Sequence, residues 1–138
     1  MDEEREILRR RRERRQEKVD IQAVCSPEKL VEMQTHIESL HVEDGIEDYI
    51  VRIVDATRKH PQVQVGSSPR GSLALMRLSA ARSALFGRDY VLPDDIKAVA
   101  VPALAHRLIL AADPWIRGVR PESVVESILK TVPVPKVD

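Results

Sequence analysis

Aromatic side chains are nearly missing from this chain. In 138 residues there are two Tyr, one Phe and one Trp. A core without them must be built from Leu, Ile, Val and Ala, which suits packed helices better than a sandwich or a barrel. Cysteine is as scarce: the single Cys25 excludes an internal disulfide framework. Net charge of one sign is absent, because 22 basic side chains meet 22 acidic ones. The overall charge therefore asks for neither nucleic acid nor an anionic membrane surface. No apolar run approaches the ~18–20 residues of a membrane span. The start, Met1-Asp2-Glu3-Glu4, is acidic where a secretory signal is basic, so a cytoplasmic protein is expected.

What is present is helical punctuation. Residues 2–18 read as a charged helix with acids at its start and arginines crowding its second half, an order that suits the macrodipole. Ser26-Pro27 begins a second helix over about 27–39, carrying Leu30, Met33 and Ile37 on one face. Asp44 is placed as the cap of a third, where Ile46, Tyr49, Ile50, Ile53, Val54 and Thr57 form one stripe. Pro61 stops it near Lys59. Ser68-Pro69 opens a fourth, apolar nearly all round from Leu73 to Phe86, which predicts a central position and an end at Gly87. Pro93 opens a fifth that Pro102 breaks or kinks. Residues 111–120 read as a loop, and Pro121 opens a last helix with Val124, Val125, Ile128 and Leu129 inward. The expected class is all-α, a bundle of about five to six helices with one short strand pair. Residues 1–20 form a charged linker helix and 21–138 the helical domain.

The most informative stretch is Gly66-Ser67-Ser68-Pro69-Arg70. With Ser68 as N-cap and Pro69 at N1, Arg70 falls at N2. A cation there opposes the partial positive charge of the helix terminus and costs some tenths of a kcal/mol. An anion resolves the conflict, since free N–H groups, dipole and guanidinium all point at it. The plainer alternative is an arginine turned into solvent or paired with an acid elsewhere.

These residues resemble a known motif. Gly66-Ser-Ser-Pro-Arg-Gly-Ser-Leu-Ala-Leu75 is similar to the sensor 2 segment of MoxR-family AAA+ ATPases, in their C-terminal lid. The flanking pieces follow the family's order: Tyr49-Ile-Val, Ala56-Thr-Arg-Lys-His-Pro61, Gly87-Arg-Asp-Tyr-Val91, Pro93-Asp-Asp-Ile96 and Leu104-Ala-His-Arg107. The resemblance spans roughly residues 3 to 135. It implies a lid packed beside a nucleotide-binding core, with Gly66, Ser68, Pro69 and Arg70 at the nucleotide and Arg70 reaching the ATP phosphates of its own or a neighbouring subunit. It implies ATP with Mg²⁺ as ligand of the full-length protein, a homo-hexameric ring, a chaperone-like remodelling activity, and partners with von Willebrand A-type domains. The chain has no G-x-x-x-x-G-K-[ST] loop and no strand ending in a metal-binding acidic pair. The chain thus reads as a lid without its core: no catalytic residue, no metal ligand, and no nucleotide bound by this piece alone. Leu92 also stands where a capping Ser or Thr is expected before Pro93.

Other features weigh less. The run Arg9–Arg15 supports a second reading, a free-standing adaptor or nucleic-acid-binding bundle, but Glu13 and Glu17 interrupt it and no aromatics interleave. His36, His41, His60 and His106 make no zinc spacing with Cys25. Cys25 precedes a helix N-terminus but has no adjoining base, so it is not read as a nucleophile. Asp94-Asp95 is read as a pair of dipole-friendly first-turn acids. Arg58 and Arg88 either pair with acids inside the domain or cross an interface. Trp115 either anchors a contact or covers the end of the bundle.

Overall fold

A computed structural model describes residues 2–15 and 21–135. These residues form α1 (Asp2–Arg14), α2 (Pro27–Glu38), α3 (Asp44–Lys59), β1 (Val63–Val65), α4 (Pro69–Leu85), α5 (Pro93–Leu104), a 3₁₀ turn (Ala105–Arg107), β2 (Ile109–Leu110), α6 (Ala112–Ile116) and α7 (Pro121–Thr131). The fold is all-helical with one two-stranded antiparallel sheet, as the sequence predicts. The chain divides into two compact units, Met1–Val31 and Glu32–Asp138, and α2 spans the division.

In the first unit α1 buries no residue. Glu6 bridges Arg9 at 2.9 Å and Arg10 at 2.7 Å, and Glu13 bridges Arg9 at 3.4 Å. The arginines hold the Glu6 carboxyl below its usual range. Residues 16–18 of the expected helix lie outside the described residues. Ser26 caps α2 as its sequence predicts, its Oγ accepting the Lys29 N–H at 3.2 Å.

The second unit holds the core. On α3 the buried residues are the six of the predicted stripe: Ile46, Tyr49, Ile50, Ile53, Val54 and Thr57. They pack with Leu75 of α4, Ile96, Ala100 and Leu104 of α5, and Val124, Val125 and Ile128 of α7. The N-cap of α3 is Glu43, and Asp44 is instead an acidic first-turn residue, one position into the helix.

Three expectations need correction. α4 is not apolar to its neighbours all round. Its buried residues are Gly71, Leu75, Ser79, Ala80 and Ser83, whereas Leu73, Leu78, Leu85 and Phe86 are exposed. Small residues four apart let α4 lie close against α5, so its large side chains face away. Of the break or kink expected at Pro102, the break does not occur, and α5 runs on to Leu104. Beyond a proline only the last residues and the 3₁₀ turn remain, so the lost N–H falls where the helix is ending anyway. Residues 111–120 contain the short helix α6 rather than loop alone. Its Trp115 N–H bonds Ala111 O at 3.1 Å, and the turn closes at Gly118 with φ +76°.

The end of α4 follows its sequence signal. Gly87 takes φ +70°, its N–H bonds Ala84 O at 2.9 Å, and the Arg88 N–H bonds Ser83 O at 3.1 Å, which is the Schellman arrangement. From there His41 and Tyr90 form an isolated parallel bridge. β1 and β2 pair through Val63 with Leu110 and Val65 with Ile109, with a register irregularity between them. Within this ribbon β1 carries the chain from the end of α3 to the start of α4.

Candidate functional site

The N-terminus of α4 is placed by its connection to α3. Thr57 closes the largely apolar stripe of α3 with a fully buried hydroxyl, a polar atom that requires partners. Its Oγ1 donates to Val54 O at 2.6 Å and accepts the Ser67 N–H at 2.9 Å. The next residue, Arg58, donates from Nη1 to Ser67 O at 3.1 Å and from Nη2 to Asp55 at 3.3 Å. Lys59, then Arg58, hold the Asp55 carboxyl below its usual range. Both backbone groups of the buried Ser67 are thus held by consecutive α3 residues.

Two glycines allow that approach. A Cβ on Gly66 would sit 2.6 Å from the Arg58 backbone N and Cα, so no larger residue fits without moving the loop from the helix. A Cβ on Gly71 would collide with Ser67 Oγ and lie 3.1 Å from Leu104 Cδ2.

Ser68 is the N-cap of α4 in backbone conformation, φ −81° and ψ 173°, with Pro69 following at N1. Its hydroxyl makes no cap hydrogen bond, contrary to the role its sequence position suggests. Arg70 sits at N2 and is exposed. Its guanidinium is joined to no other described residue by a hydrogen bond or ion pair. A terminus with an uncapped first turn and an unpaired cation is electrostatically suited to an anion. Among the described residues no cluster of His, Cys, Asp and Glu suits a metal ion.

A second charged cluster lies at the other end of α4. Asp95, almost wholly buried, accepts from Arg88 Nη1 at 2.7 Å and Nη2 at 2.8 Å, and from the Leu92 N–H at 3.0 Å. Arg82 Nε lies 3.4 Å from the same carboxylate without hydrogen-bond geometry. Burial alone pushes the Asp95 carboxyl up, but Arg88, the Leu92 N–H and Arg82 together outweigh it and hold it below its usual range. The absent Ser or Thr cap at Leu92 is thereby replaced by the third residue of the helix reaching back. Arg82 stacks 4.8 Å from the Phe86 ring centroid, with Arg88 at 5.9 Å on the same ring. Arg88, read from sequence as an internal pair or an interface residue, is engaged internally. Arg58 is too. Trp115 is 67% exposed, beside the still more exposed Ile116 on α6.

The sequence places Thr57 in the buried stripe and Ser67 beside Arg70, but it does not show that they bond each other, that Gly71 is buried or how deep Asp95 lies. A threonine in an aliphatic stripe and a glycine in a helix's first turn were the available signals.

A family model described as AAA lid domain matches residues 55–128, from the foot of α3 through α7. The chain belongs to the AAA lid domain family. It is 41% identical over 115 residues to the uncharacterized protein YeaC of Bacillus subtilis, covering 83% of this chain and 36% of that one. It is 35% identical over 124 residues to the chaperone MoxR1 of Mycobacterium tuberculosis, covering 83% and 33%. A solved structure from Cytophaga hutchinsonii, described as a candidate ATPase, superposes with a TM-score of 0.80 at 29% identity over 94% of this chain and 42% of that one. Within the family the chain is a lid of the MoxR kind. It spans about a third of the length of the curated relatives it matches.

Proposed function

We propose that this chain is the C-terminal lid of an ATP-hydrolysing ring protein and that Arg70 contacts the nucleotide phosphates. The observation that supports it is the unpaired guanidinium at N2 of a 17-residue helix whose N-cap hydroxyl caps nothing. Phosphate oxygens would be held by the Arg70 guanidinium at the positive end of the α4 dipole, in a frame supplied by Gly66, Ser68 and Pro69. MgATP supplies the bond that is cleaved. The lid supplies fixed positive charge, which acts where negative charge builds on the transferring phosphoryl group. Ligands for Mg²⁺ would come from a core domain outside this piece.

The lid moves against that core as a rigid body, its sheet and helices sharing one continuous core. The full-length protein is read as a homo-hexamer that remodels partner proteins, including ones with von Willebrand A-type domains. Trp115 and Ile116 offer the exposed apolar contact such an assembly uses. Among the described residues no helix is long and apolar enough to cross a membrane.

In the full-length protein Arg70→Ala should lower ATP turnover by about tenfold or more, the size of effect seen when one transition-state donor is lost, with the lid still folded by circular dichroism. Turnover at the wild-type rate would remove the assignment.

A further inference from the structure

We infer that Thr57 and Arg58 are positioning residues for Arg70, forming with Gly66, Ser67 and Gly71 a clasp that fixes where α4 begins. The inference rests on the phosphate-contact reading of Arg70.

Arg70 has no partner of its own among the described residues, so the only restraint on its reach is the position of its backbone. That position is determined three residues earlier. The Ser67 N–H is held by Thr57 Oγ1 at 2.9 Å and the Ser67 carbonyl by Arg58 Nη1 at 3.1 Å. With both backbone groups of one residue fixed to α3, the connection can neither rotate nor slide. The glycines make the contact close: Gly66 lies on the Arg58 backbone, and Gly71 on the Ser67 side chain. Thr57 itself is tied to α3 through Val54 O at 2.6 Å. The clasp thus links the core-facing stripe of α3 rigidly to the first turn of α4. A long side chain acting at hydrogen-bond distance is sensitive to a shift of about 1 Å in its origin, which is what the clasp prevents.

A stability role alone would also explain buried hydrogen bonds, so the test must separate the two. ATP turnover is measured in the full-length protein for Thr57→Val, Thr57→Ser, Arg70→Ala and the double variant Thr57→Val/Arg70→Ala. Thr57→Val keeps shape and removes the acceptor for the Ser67 N–H. It should lower kcat about 3- to 10-fold, as misplacement of a working group does. Thr57→Ser keeps the hydroxyl and should restore most of that loss. In the Arg70→Ala background Thr57→Val should cost nothing further, because it acts through Arg70.

Wild-type turnover for Thr57→Val beside an impaired Arg70→Ala overturns the positioning role and leaves the phosphate reading standing. An equal further loss in the Arg70→Ala background also overturns it, since the effect then bypasses Arg70. Unchanged turnover for Arg70→Ala overturns the phosphate reading and the inference together. Should Thr57→Val fail to fold, Arg58→Met carries the same expectation, because its side chain is 42% exposed and not part of the core. Wild-type turnover for Arg58→Met then overturns the inference.

Discussion

Three residues show how local chemistry sets properties beyond themselves. Arg70 sits where the helix dipole disfavours it, so Arg70→Ala should leave the melting temperature unchanged or raise it slightly, the stability gain being some tenths of a kcal/mol. Thermal melts of the chain would show this, and a clear fall would mean that Arg70 holds the fold. Asp95 has the opposite character. Its buried carboxylate is held by Arg88 and the Leu92 N–H, so Asp95→Asn should cost about 3 kcal/mol at neutral pH, as breaking a buried pair does. Because its folded pKa lies below the ordinary 3.8, the ion pair's stability is full above that value and is lost as pH falls through the lower folded value. Urea melts below pH 4 should therefore bring wild type and Asp95→Asn together, and a gap that does not narrow in acid would contradict the pairing. Tyr49 is buried with a hydroxyl that has no hydrogen-bond partner among the described residues. Burial raises its pKa. Tyr49→Phe should be neutral or stabilising by up to about 1 kcal/mol.

At the scale of elements, α3 was the most legible part of the sequence, because an aliphatic stripe on an otherwise charged helix has one way to face. Ile53→Ala on that stripe should cost about 3 kcal/mol, from lost burial plus a cavity. Val51→Ala on the exposed side should change stability by less than about 0.5 kcal/mol. Comparable losses for both would mean the stripe is not the buried face. α4 was legible in its bounds and not in its orientation. Its start and Schellman end follow from Ser-Pro and Gly87, but a composition of Leu, Ala and Ser does not reveal that Gly71, Leu75, Ser79 and Ser83 face inward. Close helix packing selects small side chains, a preference that hydrophobicity does not encode. The clasp was illegible for a related reason. Thr57 and Ser67 are ten residues apart, and only the β1 turn brings them together.

At the scale of the molecule, sequence and fold agree on a lid of the MoxR kind. α1 buries nothing. Removing residues 1–25 should thus leave the melting temperature of the rest within about 3 °C, the shift that less than 1 kcal/mol produces in a domain this size. On α1, Arg9 and Arg10 are bridged to Glu6 and Glu13, which offsets part of the basic run. The chain should form no complex with duplex DNA in a gel shift at about 150 mM salt, where weak phosphate contacts are screened.

The central claim is that Arg70 meets the phosphates of ATP. The most direct measurement is a structure of the full-length ring with a non-hydrolysable ATP analogue and Mg²⁺. The account predicts the Arg70 guanidinium within about 3 Å of a phosphate oxygen, in its own or a neighbouring subunit's site. A well-ordered nucleotide with Arg70 turned to solvent, or paired with a protein carboxylate, would contradict it.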